Sequence, residues 1–231
     1  MLQRDKLAKV IDHTCLNPDA TTEDIKKLCE EAEKHGFGTL CVYPSDIKTV
    51  KMNTDRKICA VVGFPSGREA KALKSSEAAY AMKEGADEID VVIKQGYIKE
   101  GHIKEVIEDL EAVKDSAQNI NPDTKIKVIC ENCNLTEEEK IEAYKAAEEA
   151  GADFIKTSTG FCAYGAKVED VKLMSRTIEE LNSDMGIKAS GGIRSFDKAK
   201  KLYKASSMPL EPDHFRIGAS SSVKIINDMY S

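Results

Sequence analysis

Short runs rich in β-branched residues alternate with longer amphipathic stretches along the whole chain. The strand-like runs are Val10–Thr14, Thr39–Tyr43, Ile58–Phe64, Glu88–Lys94, Ile126–Cys130, Phe154–Thr159, Ile187–Ser190 and Phe215–Ala219. Their centres mostly lie roughly 28–37 residues apart, the length of one strand plus one helix and its turns. The second-to-third interval is shorter and predicts an abbreviated helix around Asp46–Asn53. Between the runs the helix signals are local and chemical. Thr136 with Glu139 reads as a capping box before Glu137–Ala150, Ser195 as the N-cap of the next-but-one helix, and Asp19 or Thr21 as the cap of the helix that ends near His35. Gly36, Gly85 and Gly151 stand where helices stop.

A faint repeat agrees with this layout. Glu84-Gly-Ala-Asp-Glu-Ile-Asp90 and Ala150-Gly-Ala-Asp-Phe-Ile-Lys156 share a helix-stop, turn and strand-start phrase, which puts Asp90 and Lys156 at equivalent points of two strands. No Pro/Gly/Ser-rich linker interrupts the 231 residues. The expectation is one α/β domain over residues 1–231, a (β/α)8 TIM barrel with a short N-terminal helix. A doubly wound open sheet is the competing architecture, and the absence of GxGxxG after the first strand speaks against it.

Composition narrows the function classes. The chain is 41% hydrophobic and 32% charged, with 34 basic and 40 acidic residues and a formal charge of −6. That balance disfavours nucleic acid as a partner while allowing a local anion pocket. The apolar runs are far too short for a membrane span, and no secretory signal pattern opens the sequence, so a cytoplasmic location is expected. The seven cysteines read as reduced core thiols, Cys41 among them. The Cys130–Cys133 pair has no second ligand pair at zinc spacing, and no metal is expected. His13, His35, His102 and His214 show no ligand spacing, and Tyr230 is given no role in a site.

The informative residues are charged ones inside strands, because parallel barrel strands are covered on both faces and should be apolar. Asp12, Asp90, Lys156 and Lys188 occupy the first, fourth, sixth and seventh runs. A closed barrel can aim all four at its axis, where two lysines and two aspartates neutralise one another. Such a cluster suits Schiff-base chemistry. A free lysine titrating near 10.4 leaves only about one amine in a few thousand neutral at pH 7. Desolvation and a neighbouring ammonium lower that value, and the freed amine attacks carbonyl carbon. Gly191-Gly192-Ile-Arg194-Ser195 and Gly218-Ala-Ser220-Ser221-Ser222 follow the seventh and eighth runs, where barrels commonly hold phosphate.

These motifs, Phe154-Ile-Lys156-Thr-Ser-Thr-Gly160, Ile187-Lys188-Ala-Ser-Gly-Gly-Ile-Arg194 and Glu88-Ile-Asp90-Val-Val, closely resemble those of the deoxyribose-phosphate aldolase family. The likeness extends to Ile11-Asp12-His-Thr, Cys41-Val-Tyr-Pro44, Val62-Gly-Phe-Pro65 and Arg216-Ile-Gly-Ala-Ser-Ser221. The resemblance implies a class I aldolase, without metal or organic cofactor, that reversibly cleaves 2-deoxy-D-ribose 5-phosphate to glyceraldehyde 3-phosphate and acetaldehyde. It implies Lys156 as the Schiff-base lysine, Lys188 as the lysine that perturbs it, Asp90 in proton transfer and Asp12 in support. Gly160, Gly191, Gly192, Arg194, Gly218, Ser220 and Ser221 would hold the phosphate. The alternatives are another barrel lyase or isomerase acting on a phosphosugar without covalent attachment, and a non-catalytic phosphosugar-binding protein. Single-domain barrels often pair, so a homodimer is the oligomer to look for.

Overall fold

In a computed structural model, which describes residues 3–230, the eight strands close into a parallel barrel in sequence order, each bonded to its chain neighbours and the last to the first. The side chain of Tyr230 lies outside the described residues. The strands are β1 (Ile11–Thr14), β2 (Thr39–Val42), β3 (Lys57–Val62), β4 (Glu88–Val92), β5 (Lys125–Ile129), β6 (Phe154–Lys156), β7 (Gly186–Ser190) and β8 (Phe215–Ala219). The helices are α1 (Arg4–Lys9), α2 (Thr22–His35), α3 (Ile47–Lys51), α4 (Lys71–Glu84), α5 (Gln95–Lys99), α6 (Ile103–Gln118), α7 (Glu137–Glu149), α8 (Val168–Glu180), α9 (Phe196–Ser206) and α10 (Ser222–Asn227). The short opening helix is α1. The abbreviated segment is a single 3-10 turn, Pro44–Asp46, followed by α3.

Local sequence explains the helix ends. Thr136 and Glu139 close a reciprocal capping box on α7, and Thr21 with Asp24 does the same for α2. The Ser195 side chain accepts from the Lys198 N–H at the start of α9. Each filled cap of this kind is worth about 1 kcal/mol. The strands β1 to β4 and β6 are shorter than their apolar runs, β5 is shifted back by one residue, β7 gains Gly186, and β8 matches its run. The run from Phe154 to Thr159, for example, yields only three residues of ladder. Beyond Lys156 the chain leaves the sheet and builds the rim of a cavity.

Alternation along the strands sorts the side chains into two populations. Ile89, Val91, Ile126, Val128, Ile155, Ile187, Ala189 and Ile217 face outward and are fully buried in the main apolar core, which the helices cover. The inward positions carry ions. Asp12, Glu88, Asp90, Lys127, Lys156, Lys188 and Arg216 are all buried and touch one another across the barrel axis. A small inner apolar cluster, Leu16, Cys41, Cys59 and Val61, fills the β2–β3 side.

Candidate active site

The register of adjacent strands decides which ions meet. Lys156 and Lys188 are Cα partners across β6 and β7, and Asp90 and Lys127 across β4 and β5. Asp90 is the hub. Its Oδ2 accepts from Lys156 Nζ at 2.6 Å and from Lys188 Nζ at 2.7 Å. Its Oδ1 accepts from Lys127 Nζ at 3.1 Å and from the Cys59 thiol at 3.0 Å. Asp12 joins the far side, with Oδ2 lying 2.5 Å from Lys188 Nζ and Oδ1 2.8 Å from the Arg216 guanidinium. Glu88 binds Lys127 at 2.6 Å and Arg216 at 2.9 Å.

Three carboxylates thus meet four cations with almost no water contact, and the balance of charge sets each titration. Burial by itself would raise the Asp90 carboxyl, but Lys127, Lys156 and Lys188 hold it well below the usual carboxylate range. Asp12 feels the same opposition, burial against Lys188 and Arg216, and settles at about 2. Glu88 is lowered as Lys127 and Arg216 outweigh its burial. The cations move the other way. Burial would strip Lys188 and Lys127 of their protons, yet Asp12 and Asp90 hold the first, and Asp90 and Glu88 the second, well above the ordinary lysine value. Lys188 and Lys127 therefore stay charged, and Lys188 presents a fixed ammonium beside Lys156.

Above the cluster lies a cavity of about 680 Å³. Lys156 is on its lining, whereas Lys188, Asp90 and Asp12 lie beneath. Gly160, Gly191, Gly192, Arg194, Gly218 and Ser220 line the wall on the β6–β8 side. Ser221 does not reach the cavity and sits one position further on, as the N-cap of α10. Two of these glycines keep open space that a side chain would fill. At Gly191 φ is +85°, and a Cβ there would stand 2.9 Å from the Gly165 Cα, so the loops after β6 and β7 touch backbone to backbone. At Gly218 a Cβ would come 2.4 Å from Ser190 Oγ and 3.2 Å from Lys188 Cε, so the missing side chain leaves room for the Lys188 stem.

Lys156, Lys188, Asp90 and Asp12 come together as the strand reading expects. The four-residue cluster is nevertheless too small. Lys127, Glu88 and Arg216 complete it, and the signal was available: each is a charge inside a parallel strand, with Lys127 flanked by Ile126 and Val128. Glu88 and Asp90 are two residues apart and so share one face. Cys41 is buried and pairs in register with Cys59. Cys130 is packed in the core with its sulfur toward the Val128 carbonyl, so the Cys130–Cys133 spacing does not make a pair.

The closed barrel thus sets a buried lysine pair under a glycine-walled cavity, at the face where barrels place their chemistry. A profile of the DeoC/LacD family aldolases matches residues 6–221, and the chain belongs to that family. It is 45% identical to a deoxyribose-phosphate aldolase of Carboxydothermus hydrogenoformans, over all of this chain and 98% of that relative. It is 46% identical to one from Caldanaerobacter subterraneus, over 96% of this chain and 93% of the relative. Among solved structures it is similar to the deoxyribose phosphate aldolase from Aeropyrum pernix, described as a tetramer, with a TM-score of 0.87 and 31% identity. That match covers 99% of this chain and 93% of the other.

Proposed function

We propose that this chain is a class I aldolase that reversibly cleaves 2-deoxy-D-ribose 5-phosphate to D-glyceraldehyde 3-phosphate and acetaldehyde, with Lys156 as the nucleophile. The observation that carries the reading is the placement of Lys156. Its amine reaches the cavity floor, 2.6 Å from a carboxylate oxygen that it shares with the ammonium of Lys188. Membership of the aldolase family and the names of relatives matching over nearly full length support the substrate.

Of the three lysines in the cluster, Lys156 is the one on the cavity lining, beside Lys188. Its Nζ attacks C1 of the open-chain sugar, and loss of water gives an iminium. The C2–C3 bond then breaks as the C3 hydroxyl loses its proton. The bonding electrons pass into the iminium to form an enamine, and glyceraldehyde 3-phosphate departs. Protonation of the enamine at C2 and hydrolysis release acetaldehyde and restore the amine. Asp90, within hydrogen-bond reach of Lys156 Nζ, carries protons directly or through water. Asp12 acts at one remove by fixing Lys188 and Arg216.

The phosphate fits the β6–β8 wall, where Gly160, Gly191, Gly192, Gly218 and Ser220 offer backbone at close approach and Arg194 offers charge. Ser221 remains a candidate only through a backbone N–H. The reading includes a single domain, no metal or organic cofactor in the reaction, and a cytoplasmic site of action suited to this class of metabolite. It also includes a homodimer, for which the exposed Leu73 and Tyr80, seven residues apart on α4, offer an apolar strip. No helix among the described residues is long and apolar enough to cross a membrane.

Borohydride reduction in the presence of acetaldehyde tests the chemistry. The expected product carries one ethyl group, mapped by peptide mass to Lys156. An unmodified Lys156 after full reduction, with turnover intact, would overturn the covalent mechanism and favour a carboxylate-base reaction.

A further inference from the structure

At the barrel rim a second group of side chains converges that the aldol chemistry does not use. The Cys133 and Cys162 sulfurs and a Glu131 carboxylate oxygen lie within 4.8 Å of one another. Cys133 is in the single 3-10 turn after β5, Asn132–Asn134, and Cys162 is in the loop after β6. Sequence spacing pairs Cys133 with Cys130, and only the tertiary structure brings it to Cys162.

We propose that Glu131, Cys133 and Cys162 form a binding site for a thiophilic divalent cation such as Zn2+, joining the loops after β5 and β6. The ligand set suits it, since two thiolates and a carboxylate are a soft-to-borderline donor group with a fourth position open to water. Glu131 is fully buried and held in place, its Oε2 accepting from the Thr159 N–H at 3.1 Å and from the Thr159 hydroxyl. That leaves Oε1 to the Cys133 thiol, which donates to it at 3.6 Å. Such an orienting partner behind a ligating carboxylate is typical of metal sites. Asn134 stands beside both sulfurs, accepting from Cys133 at 3.5 Å and placing its Nδ2 3.8 Å from Cys162. The same Nδ2 is tied to Gln95 Oε1 at 2.7 Å.

The distances are close to what a cation needs. Two sulfurs at about 2.3 Å from a tetrahedral zinc stand roughly 3.8 Å apart, so a contraction of no more than about 1 Å from the 4.8 Å limit closes the site. Cys162 is exposed, which gives the ion an entry path. Binding replaces two thiol protons, released to solvent, by one dication. Three negative donors then face two positive charges. Because Gly160 lies two residues before Cys162 in the cavity-lining loop, the bound ion would strap that loop to the end of β5.

Cadmium is the probe, because thiolate-to-cadmium charge transfer gives an ultraviolet band independent of catalysis. Titrating the reduced, metal-free chain with Cd2+ is expected to give a band that saturates at one equivalent. A large excess of Zn2+ should suppress it, and Cys133→Ser and Cys162→Ser should each cut it to half or less. Cys162 is on the surface, so its replacement leaves the fold intact. A titration with no band, or a Cys162→Ser band equal to the parent's, would overturn the proposal.

Discussion

Lys156 and Lys188 stand side by side across β6 and β7, and their amines share one acceptor, Asp90 Oδ2, at 2.6 and 2.7 Å. Two amines on one buried oxygen bring like charges together in a dry site, where they repel strongly. Lys188 has a second carboxylate, Asp12, to hold its proton; Lys156 pairs only with Asp90 among the described residues and faces the cavity.

Lys156→Arg keeps a positive charge and a donor but removes the nucleophile, because a guanidinium stays protonated and forms no imine. Turnover of 2-deoxyribose 5-phosphate is expected to fall to background while the far-UV circular dichroism is retained. Residual steady turnover in the purified variant would remove Lys156 from its role.

The buried network also carries stability. Lys127→Met leaves Glu88 and Asp90, both fully buried, short of a partner at 2.6 and 3.1 Å. Breaking a buried pair from one side costs about 3–5 kcal/mol. The exposed pair Lys71–Glu108 is the control, and Lys71→Met should cost no more than about 1 kcal/mol. Urea unfolding of the two variants against the parent measures the contrast.

Acid should unfold the protein through the same carboxyls. Asp12 falls from an ordinary 3.8 to about 2 in the folded state, and Asp90 and Glu88 are lowered as well. Between the two values the unfolded chain takes up a proton that the folded chain refuses. The stabilisation is therefore complete above about pH 4 and is lost as pH drops through about 2. For Asp12 it amounts to about 2 kcal/mol. Lys188 has the opposite sign: its contribution is present below the ordinary lysine value and fades only as pH rises through its raised one. Denaturation midpoints from pH 7 to pH 2 should decline in the parent and decline less steeply in Asp12→Asn.

Gly191→Ala tests the phosphate wall. It forces a side chain onto φ of +85° and into the Gly165 Cα at 2.9 Å, a strain of about 1–3 kcal/mol that must part the two loops. KM for 2-deoxyribose 5-phosphate should rise about tenfold, with a much smaller change for unphosphorylated 2-deoxyribose. Equal losses on both sugars would place the phosphate elsewhere.

Much of this was legible in the chain. Short continuous apolar runs and helical periodicity between them specify eight strand–helix units, because burial on both faces demands apolar strands and one-sided burial demands amphipathic helices. The charges that violate the rule, Asp12, Asp90, Lys156 and Lys188, mark the axis for the same reason. What a linear pattern does not carry is register. Whether Lys156 stands beside Lys188 or one step away depends on the stagger with which the strands close, and that is a property of the whole barrel. Only closure shows that Arg216 on β8 reaches Glu88 on β4, that Lys127 makes a fourth cation against three carboxylates, and that Cys133 meets Cys162 instead of Cys130. Local sequence thus determines which residues are strand and which face they take. The tertiary structure decides which of the inward-facing charges become neighbours, because contacts across a barrel join positions far apart in the chain.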